Sequence, residues 1–370
     1  MTHEIEHVAI KSGSVGTRRE LIVHHFGNKE RRPKAYFHAC LHADEVPATA
    51  VASFLVDLLD DLDSQGNVKG HVVVVPVANP IGLDQTINGA TLGRFNLNSR
   101  KNFNRGFPYV GDAVLRELGD SVSSSDDDRE KIRHALVTYI SNLPKASEED
   151  ELKGALLARA ADADFVFDMH CTGEAPLHGF AWHGSQPEFH QTIADLGLSA
   201  LFENRNSGAG SFEDACADLW DKLGGPLGCQ PVCLEYRGKS EVSKALALSD
   251  AERLVRMLGV LGVLDTQDLN ERNDSCERLP AHGFNDYFSP ASGLVFNTVE
   301  VGKWVAQGEL IATIKDPLGL DNPSYVEVRA GIDGYFLQRE DVHMVQKGDL
   351  LGTIVSPNPT LKEGENPFDD

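Results

Sequence analysis

The run His71-Val72-Val73-Val74-Val75-Pro76-Val77 limits the fold more than any other stretch of the chain. Its β-branched residues offer water no polar face. As a strand it must be covered on both sides, which is the condition of a strand inside a parallel sheet. Ala35–Leu41, Phe165–Met169 and Pro231–Tyr236 read as further strands. Between them, Glu45–Leu62 sets Val51, Phe54, Leu55, Leu58, Leu59 and Leu62 at helical spacing, and Asp250–Leu264 reads as another helix. Strands alternating with helices predict an α/β fold, with a mixed, largely parallel sheet flanked by helices.

After the polar segment Asp268–Glu277 the pattern changes. Gly293-Leu294-Val295-Phe296 leads to Val305–Ile314, and Gly334-Tyr335-Phe336-Leu337 leads to Val345–Ile354. The second half repeats the first at a shift of about 40 residues. Each half is strand, glycine turn, strand, which predicts a small C-terminal all-β barrel-like domain. It resembles a biotinyl or lipoyl carrier domain. However, the joining segment Lys315–Tyr325 holds no Met-Lys-Met and no lysine on a tight hairpin, so a structural or pocket-covering module is expected. The expected organisation is a larger domain over 1–267, a linker over 268–285, the β domain over 286–356, and a polar, disordered tail over 357–370. Within the larger domain, 111–160 reads as an acidic helical insertion. Ser123–Asp128 is too polar to pack, and Arg129–Leu143 and Ser147–Ala160 read as surface helices.

Lysine and arginine number 34, aspartate and glutamate 56, and the formal charge is −22. A phosphate backbone demands a basic surface, so a nucleic-acid partner is excluded. An anionic membrane is excluded for the same reason. No apolar run approaches the roughly 18 residues of a membrane span. The start, Met1-Thr2-His3-Glu4-Ile5-Glu6, lacks the basic and apolar regions of a secretory signal. The six cysteines are too scattered for a disulfide framework, which predicts reduced thiols and a cytoplasmic protein. Self-association into a homo-oligomer is compatible with all of this.

The residues that carry chemistry gather at strand ends. His42-Ala43-Asp44-Glu45 follows the Ala35–Leu41 strand, and residues three apart share a helix face. Such a pair is either a surface helix pair or two ligands of a metal such as zinc, which takes imidazole and carboxylate. His170 ends the strand Asp164–Met169 where ligands collect beyond the carboxyl ends of parallel strands. Asp168 shares its face and either orients a ligand or turns the chain. Glu235 in Val-Cys-Leu-Glu-Tyr is costly to bury unpaired. It reads as a general base with a raised pKa or as an edge-strand residue facing water. Arg94, Arg100, Lys101 and Arg105 crowd twelve residues of an acidic chain. They form an anion pocket or a solvated basic loop.

Taken in order, His42-x-x-Glu45, Asn79-Pro80, Asn102-Phe103-Asn104-Arg105, Asp168-x-His170 and Leu234-Glu235-x-Arg237-Gly238 resemble the succinylglutamate desuccinylase/aspartoacylase family, within the zinc carboxypeptidase-like fold. Gly93-Arg94-Phe95-Asn96-Leu97 is most similar to the branch that includes N-acetyl-diaminobutyrate deacetylases. The resemblance covers roughly residues 30–265 and implies a zinc hydrolase domain. It implies one Zn2+ per chain held by His42, Glu45 and His170, with Glu235 as base. Arg105 with Asn104 would bind the substrate carboxylate. An upstream arginine, Arg94 in preference to Arg100, would polarise the scissile carbonyl. The implied activity is deacylation of a small N-acyl amino acid. A metallocarboxypeptidase acting on peptides and a non-catalytic binding protein are the rival readings. The chain departs from the family in having Ala43-Asp44 and Cys171 where glycines are common, and in its acidic insertion. Cys171 beside a ligand would make the pocket oxidation-sensitive.

Overall fold

The structure, a computed structural model, describes residues 3–358 except 12, 120–121, 205–208, 225, 267–271 and 321–324. Along the chain come β1 (Glu4–Ile10), β2 (Arg19–Gly27), β3 (Lys34–Ala39), α1 (Val46–Ser64), β4 (His71–Val75), α2 (Pro80–Leu83) and the hairpin β5 (Thr86–Ile87) and β6 (Ala90–Thr91). Three helices follow: α3 (Gly111–Leu118), α4 (Asp126–Ser141) and α5 (Glu148–Ala160). Then come β7 (Phe165–Thr172), β8 (His178–Trp182), α6 (Pro187–Ala194), β9 (Ala200–Asn204), α7 (Phe212–Leu223), β10 (Gln230–Gly238), α8 (Lys244–Val260) and β11 (Glu277–Pro280). Their strands form one nine-stranded sheet in the order β1-β2-β4-β3-β7-β10-β8-β9-β11. The centre, β4-β3-β7-β10, is parallel, and antiparallel pairs sit at β1/β2, β2/β4 and β10/β8. The mixed, largely parallel α/β fold is therefore the one expected.

Strand alternation sorts the central residues onto two faces. Ala35, Phe37 and Ala39 of β3, Phe167 and Met169 of β7, and Val232 and Leu234 of β10 pack with α1, α6 and α8. Tyr36, Val73, Val75 and Val166 pack on the other face with α3, α4, α5 and α7. By the same alternation His38, Asp168, His170, Cys233 and Glu235 belong to that second face.

The helices near 111–160 are present but are not appended to the surface. Ile132, Leu136 and Ile140 of α4 and Leu152, Leu156 and Leu157 of α5 are buried in the same core as Val73 and Val75. The acidic sequence hides an apolar stripe at four-residue spacing. The stretch expected as a linker also differs in part. Glu277–Pro280 is a strand that pairs in parallel with β9, while 268–271 lie outside the described residues.

The repeat builds β12 (Phe284–Phe288), β13 (Gly293–Asn297), β14 (Lys303–Val305), β15 (Leu310–Lys315), β16 (Tyr325–Arg329), β17 (Gly334–Arg339), β18 (Met344–Val345) and β19 (Leu350–Val355). Two four-stranded sheets result, β12-β19-β17-β14 and β16-β15-β13-β18. The repeats exchange strands: β14 of the first half pairs with β17, and β18 of the second pairs with β13. Val295, Ile311, Ile314, Phe336, Leu351 and Ile354 fill the space between. All six cysteines are unpaired. Among the described residues no helix is long and apolar enough to cross a membrane. The tail expected to be disordered lies outside the described residues from 359 onward.

Candidate metal centre

β3 ends one residue before Cys40, whose φ of 65° turns the chain out of the sheet. The next turn is closed by Glu45 N–H donating to His42 O at 3.1 Å, which brings both side chains to one side. Glu45 takes the N-cap position of α1 yet makes no capping bond with its side chain. Its carboxylate is used elsewhere. His42 Nδ1 lies 2.9 Å from Glu45 Oε1, and His170 Nδ1 lies 2.7 Å from Glu45 Oε2. All three residues are buried, and their donor atoms lie within 4.8 Å of one another. Cys171 N–H also donates to Glu45 Oε2 at 3.1 Å, so the position beside the histidine works through its backbone.

The outer hydrogen bonds orient the two rings. Asn102 Oδ1 accepts from Asn104 N–H at 2.9 Å, so this atom is an acceptor, and at 2.8 Å it faces His42 Nε2. The proton of His42 therefore sits on Nε2, and Nδ1 presents a lone pair to Glu45. Asp168 Oδ1 lies 2.8 Å from His170 Nε2 and 2.7 Å from His38 Nε2. His170 faces an acceptor at each ring nitrogen, Asp168 at Nε2 and Glu45 at Nδ1. Without a metal, His170 carries protons on both. Two imidazoles and a carboxylate converging on one spot are a donor set that zinc takes, so the residues present fit such an ion.

Burial holds the charged form of His42 down against Glu45. Burial opposes charge on His170 too, but Asp168 and Glu45 lift its pKa well above the usual range. Glu45, despite its burial, is pulled down by His42 and His170. Glu235 behaves differently. Burial, reinforced by Glu45 and opposed by His170 and Arg94, pushes its carboxyl up to about 7. Its Oε1 accepts from Cys233 Sγ at 3.7 Å, and its buried Oε2 has no partner among the described residues.

The loop after α2 carries the cations. Asn79 ties it down by donating to Leu41 O at 2.7 Å and accepting from Gly82 N–H at 2.8 Å. Gly93 lies against the loop of His42 and Glu45: its carbonyl accepts from Ala43 N–H at 3.1 Å, and a Cβ there would fall 2.4 Å from Asp44 N. The next residue, Arg94, reaches to 3.6 Å from Glu45 Oε1. Arg100 sits at a turn with φ 61°, is exposed, and makes no ion pair among the described residues. Arg105 donates to Asn104 O at 2.9 Å and does not touch the triad. The Asn104 amide is committed within the protein: Nδ2 donates to Asp168 Oδ2 at 3.1 Å, and Oδ1 accepts from Phe212 N–H at 2.9 Å. Arg237 points away, pairing with Asp250 of α8 at 2.6 Å.

Several residues here escaped the sequence reading. Buried Glu149 of α5 accepts from Asn96, Ser99 and Lys153, and Lys153 also donates to Arg105 O, so α5 braces the basic loop. Lys239 pairs with Asp44 at 2.5 Å and ties the end of β10 to the loop of His42 and Glu45. The C-terminal β structure clasps the segment after His170. Glu174 and Arg339 exchange backbone hydrogen bonds of 2.8 and 3.0 Å, with an ion pair of 2.5 Å between their side chains.

The profile of the succinylglutamate desuccinylase/aspartoacylase catalytic domain matches residues 31–258. No curated protein matches the chain. Among solved structures, a succinylglutamate desuccinylase/aspartoacylase family protein from Shewanella amazonensis SB2B is 22% identical, with a TM-score of 0.82, over 95% of this chain and 98% of that one. A counterpart from Shewanella frigidimarina NCIMB 400 is 20% identical, with a TM-score of 0.82, over 96% and 98%. The product-bound ectoine utilization protein EutE (DoeB) from Ruegeria pomeroyi is 18% identical, with a TM-score of 0.67, over 95% and 94%. At these identities the likeness is one of fold.

Proposed function

The chain belongs to the succinylglutamate desuccinylase/aspartoacylase family, and on that premise we propose that it is a zinc-dependent hydrolase cleaving the amide bond of a small N-acyl amino acid or related compound. One observation carries the reading. His42 Nδ1 and His170 Nδ1 converge on the two oxygens of the buried Glu45 carboxylate, at 2.9 and 2.7 Å. Two imidazoles and a carboxylate are a donor set of hydrolytic zinc sites, which keep a further position for water. Bound there, one zinc per chain would supply a water of pKa near about 7 and polarise the scissile carbonyl.

The protein's own residues do the rest. Glu235 takes a proton from the attacking water and hands it to the amide nitrogen as the C–N bond breaks. A carboxyl lifted to about 7 suits both directions of transfer. Arg94, 3.6 Å from Glu45, donates to the oxyanion that develops on the carbonyl oxygen. Arg105 holds the substrate carboxylate with its planar fork and so positions the amide. Asn104 supports this arrangement from behind, through Asp168, in place of touching substrate. The clasp of Arg339 on Glu174 sets β structure beside the segment after His170, which favours small substrates over the peptides of a metallocarboxypeptidase.

The test is zinc content together with hydrolysis of N-acetyl and N-succinyl amino acids beside short peptides. Wild type is expected to hold one zinc and cleave an N-acyl amino acid. His42→Ala loses the zinc, and Glu235→Gln keeps zinc while losing activity. Full activity in Glu235→Gln, or full zinc in His42→Ala, ends this reading.

A further inference from the structure

A second set of donors stands beside the first. Parallel register puts Cys233 opposite Asp168 and Glu235 opposite His170. Alternation then directs the Cys233 thiol to the face that carries His170. The start of α7 lies over the same face, held by a capping box between Ser211 and Asp214 and by Phe212 N–H bonding Asn104 at 2.9 Å. Its next residue, Glu213, is buried. One donor atom each from His170, Glu213 and Cys233 lies within 4.8 Å of the other two. Metal–ligand distances of about 2.0–2.3 Å place tetrahedral donors roughly 3.3–3.8 Å apart, so modest side-chain rotation closes the set.

We propose that Cys233, Glu213 and His170 form a second metal site for a thiophilic divalent cation, and that occupancy of this site inhibits the hydrolysis proposed above, on which this inference rests. The two sites are not independent, because His170 belongs to both. A thiol changes the preference of the second set. Soft sulfur favours cadmium or excess zinc over magnesium or calcium, which take oxygen. Burial, with the carboxyl groups of Glu235, Glu213, Asp168 and Glu45 adding to it, holds the Cys233 thiol protonated, so an ion bound there displaces that proton. The unpartnered Oε2 belongs to Glu235, whose other oxygen is 3.7 Å from that sulfur, so the base is within reach as a further ligand. An ion at Cys233 therefore takes an imidazole from the first site and engages the base.

Cobalt(II) absorbance on the metal-free protein tests the site without any turnover. Saturating cobalt should give a sulfur-to-cobalt charge-transfer band in wild type and in Cys171→Ser, and none in Cys233→Ser. Glu213→Gln should keep the band and move its midpoint at least tenfold higher in cobalt. A wild type without the band, or a band that survives Cys233→Ser, overturns the site. For the inhibitory role, cadmium is titrated into zinc-loaded enzyme. Cys233→Ser should need at least tenfold more cadmium for half-inhibition than wild type, and equal sensitivity overturns that role. Hydrolysis and zinc content at one equivalent of zinc test the earlier reading separately. A cobalt–sulfur band in a protein that hydrolyses nothing removes the hydrolase and leaves the site, and the converse removes only the site.

Discussion

Glu235 and His170 are direct register partners in the parallel pairing of β10 with β7. The candidate base and a candidate ligand therefore stand at the same height on one face of the sheet. Their separation is set by the backbone hydrogen bonds of two central strands, which hold side chains more precisely than loops do. The third and fourth contributors, His42 and Glu45, enter from the turn after β3, two strands from β10 in the same parallel run.

The outer hydrogen bonds should be felt in metal affinity. Asn102→Ala frees His42 Nε2, and Asp168→Ala removes the acceptor shared by His170 and His38. Each is expected to weaken zinc binding by roughly 10–100-fold, measured by competition with a chromophoric chelator. Wild-type affinity in both would mean the rings are not oriented as described.

The two arginines should separate cleanly. Arg94→Ala is expected to lower kcat by roughly 10²–10³, as for loss of an oxyanion donor. Arg100→Ala, at an exposed turn, should leave kcat within about twofold of wild type. Steady-state kinetics on one N-acyl amino acid decides, and the opposite ranking would exchange their roles.

Gly93→Ala tests the contact between the basic loop and the loop of His42 and Glu45. Its methyl would fall 2.4 Å from Asp44 N, so backbone must move. A cost of about 1–3 kcal/mol is expected, with a larger loss in melting temperature when zinc is present than when it is chelated. An equal loss in both conditions would show that the displacement never reaches His42 and Glu45.

Acid should weaken the fold through two buried histidines. Burial, with Lys34 adding to it, lowers His71 to about 3, and burial lowers His178 to about 4. Both stay neutral in the folded state, while in the unfolded chain they take up protons near about 6.5. Their contribution is complete above that value and is lost as pH falls toward the folded values. For His178 the loss is at most about 3 kcal/mol. Chemical denaturation of the metal-free protein from pH 7 to 4.5 should show a shallower decline for His178→Gln than for wild type. Parallel curves would remove His178 from this account.

The central strands were legible because each rests on local pattern, and the candidate residues His42, Glu45, His170 and Glu235 stood out by their places at strand ends, with their joint role supplied by the family resemblance. His71–Val75 is a strand whatever surrounds it. His38, Asn102, Cys233 and Glu213 were not legible. What matters about them is which distant residue they face, and that depends on register between β3, β7 and β10 and on the seating of α7. The acidic stretch misled for a related reason. Glu149 looks like a solvated helix residue until Asn96, Ser99 and Lys153 are seen to surround it. Glu277–Pro280 looks like connecting chain because half of what makes it a strand is supplied by Ala200–Glu203.

The exchange of β14 and β18 between the two C-terminal halves binds an ancestral-looking duplication into one indivisible unit. Neither copy owns a complete sheet, so neither can be deleted, or folded ahead of the other, without leaving unpaired backbone edges in both. Synthesis must run through Val345 before one sheet is complete and through Val355 before the other, and a stop codon between residues 290 and 339 would cost the chain its grip on Glu174 as well as its last strands.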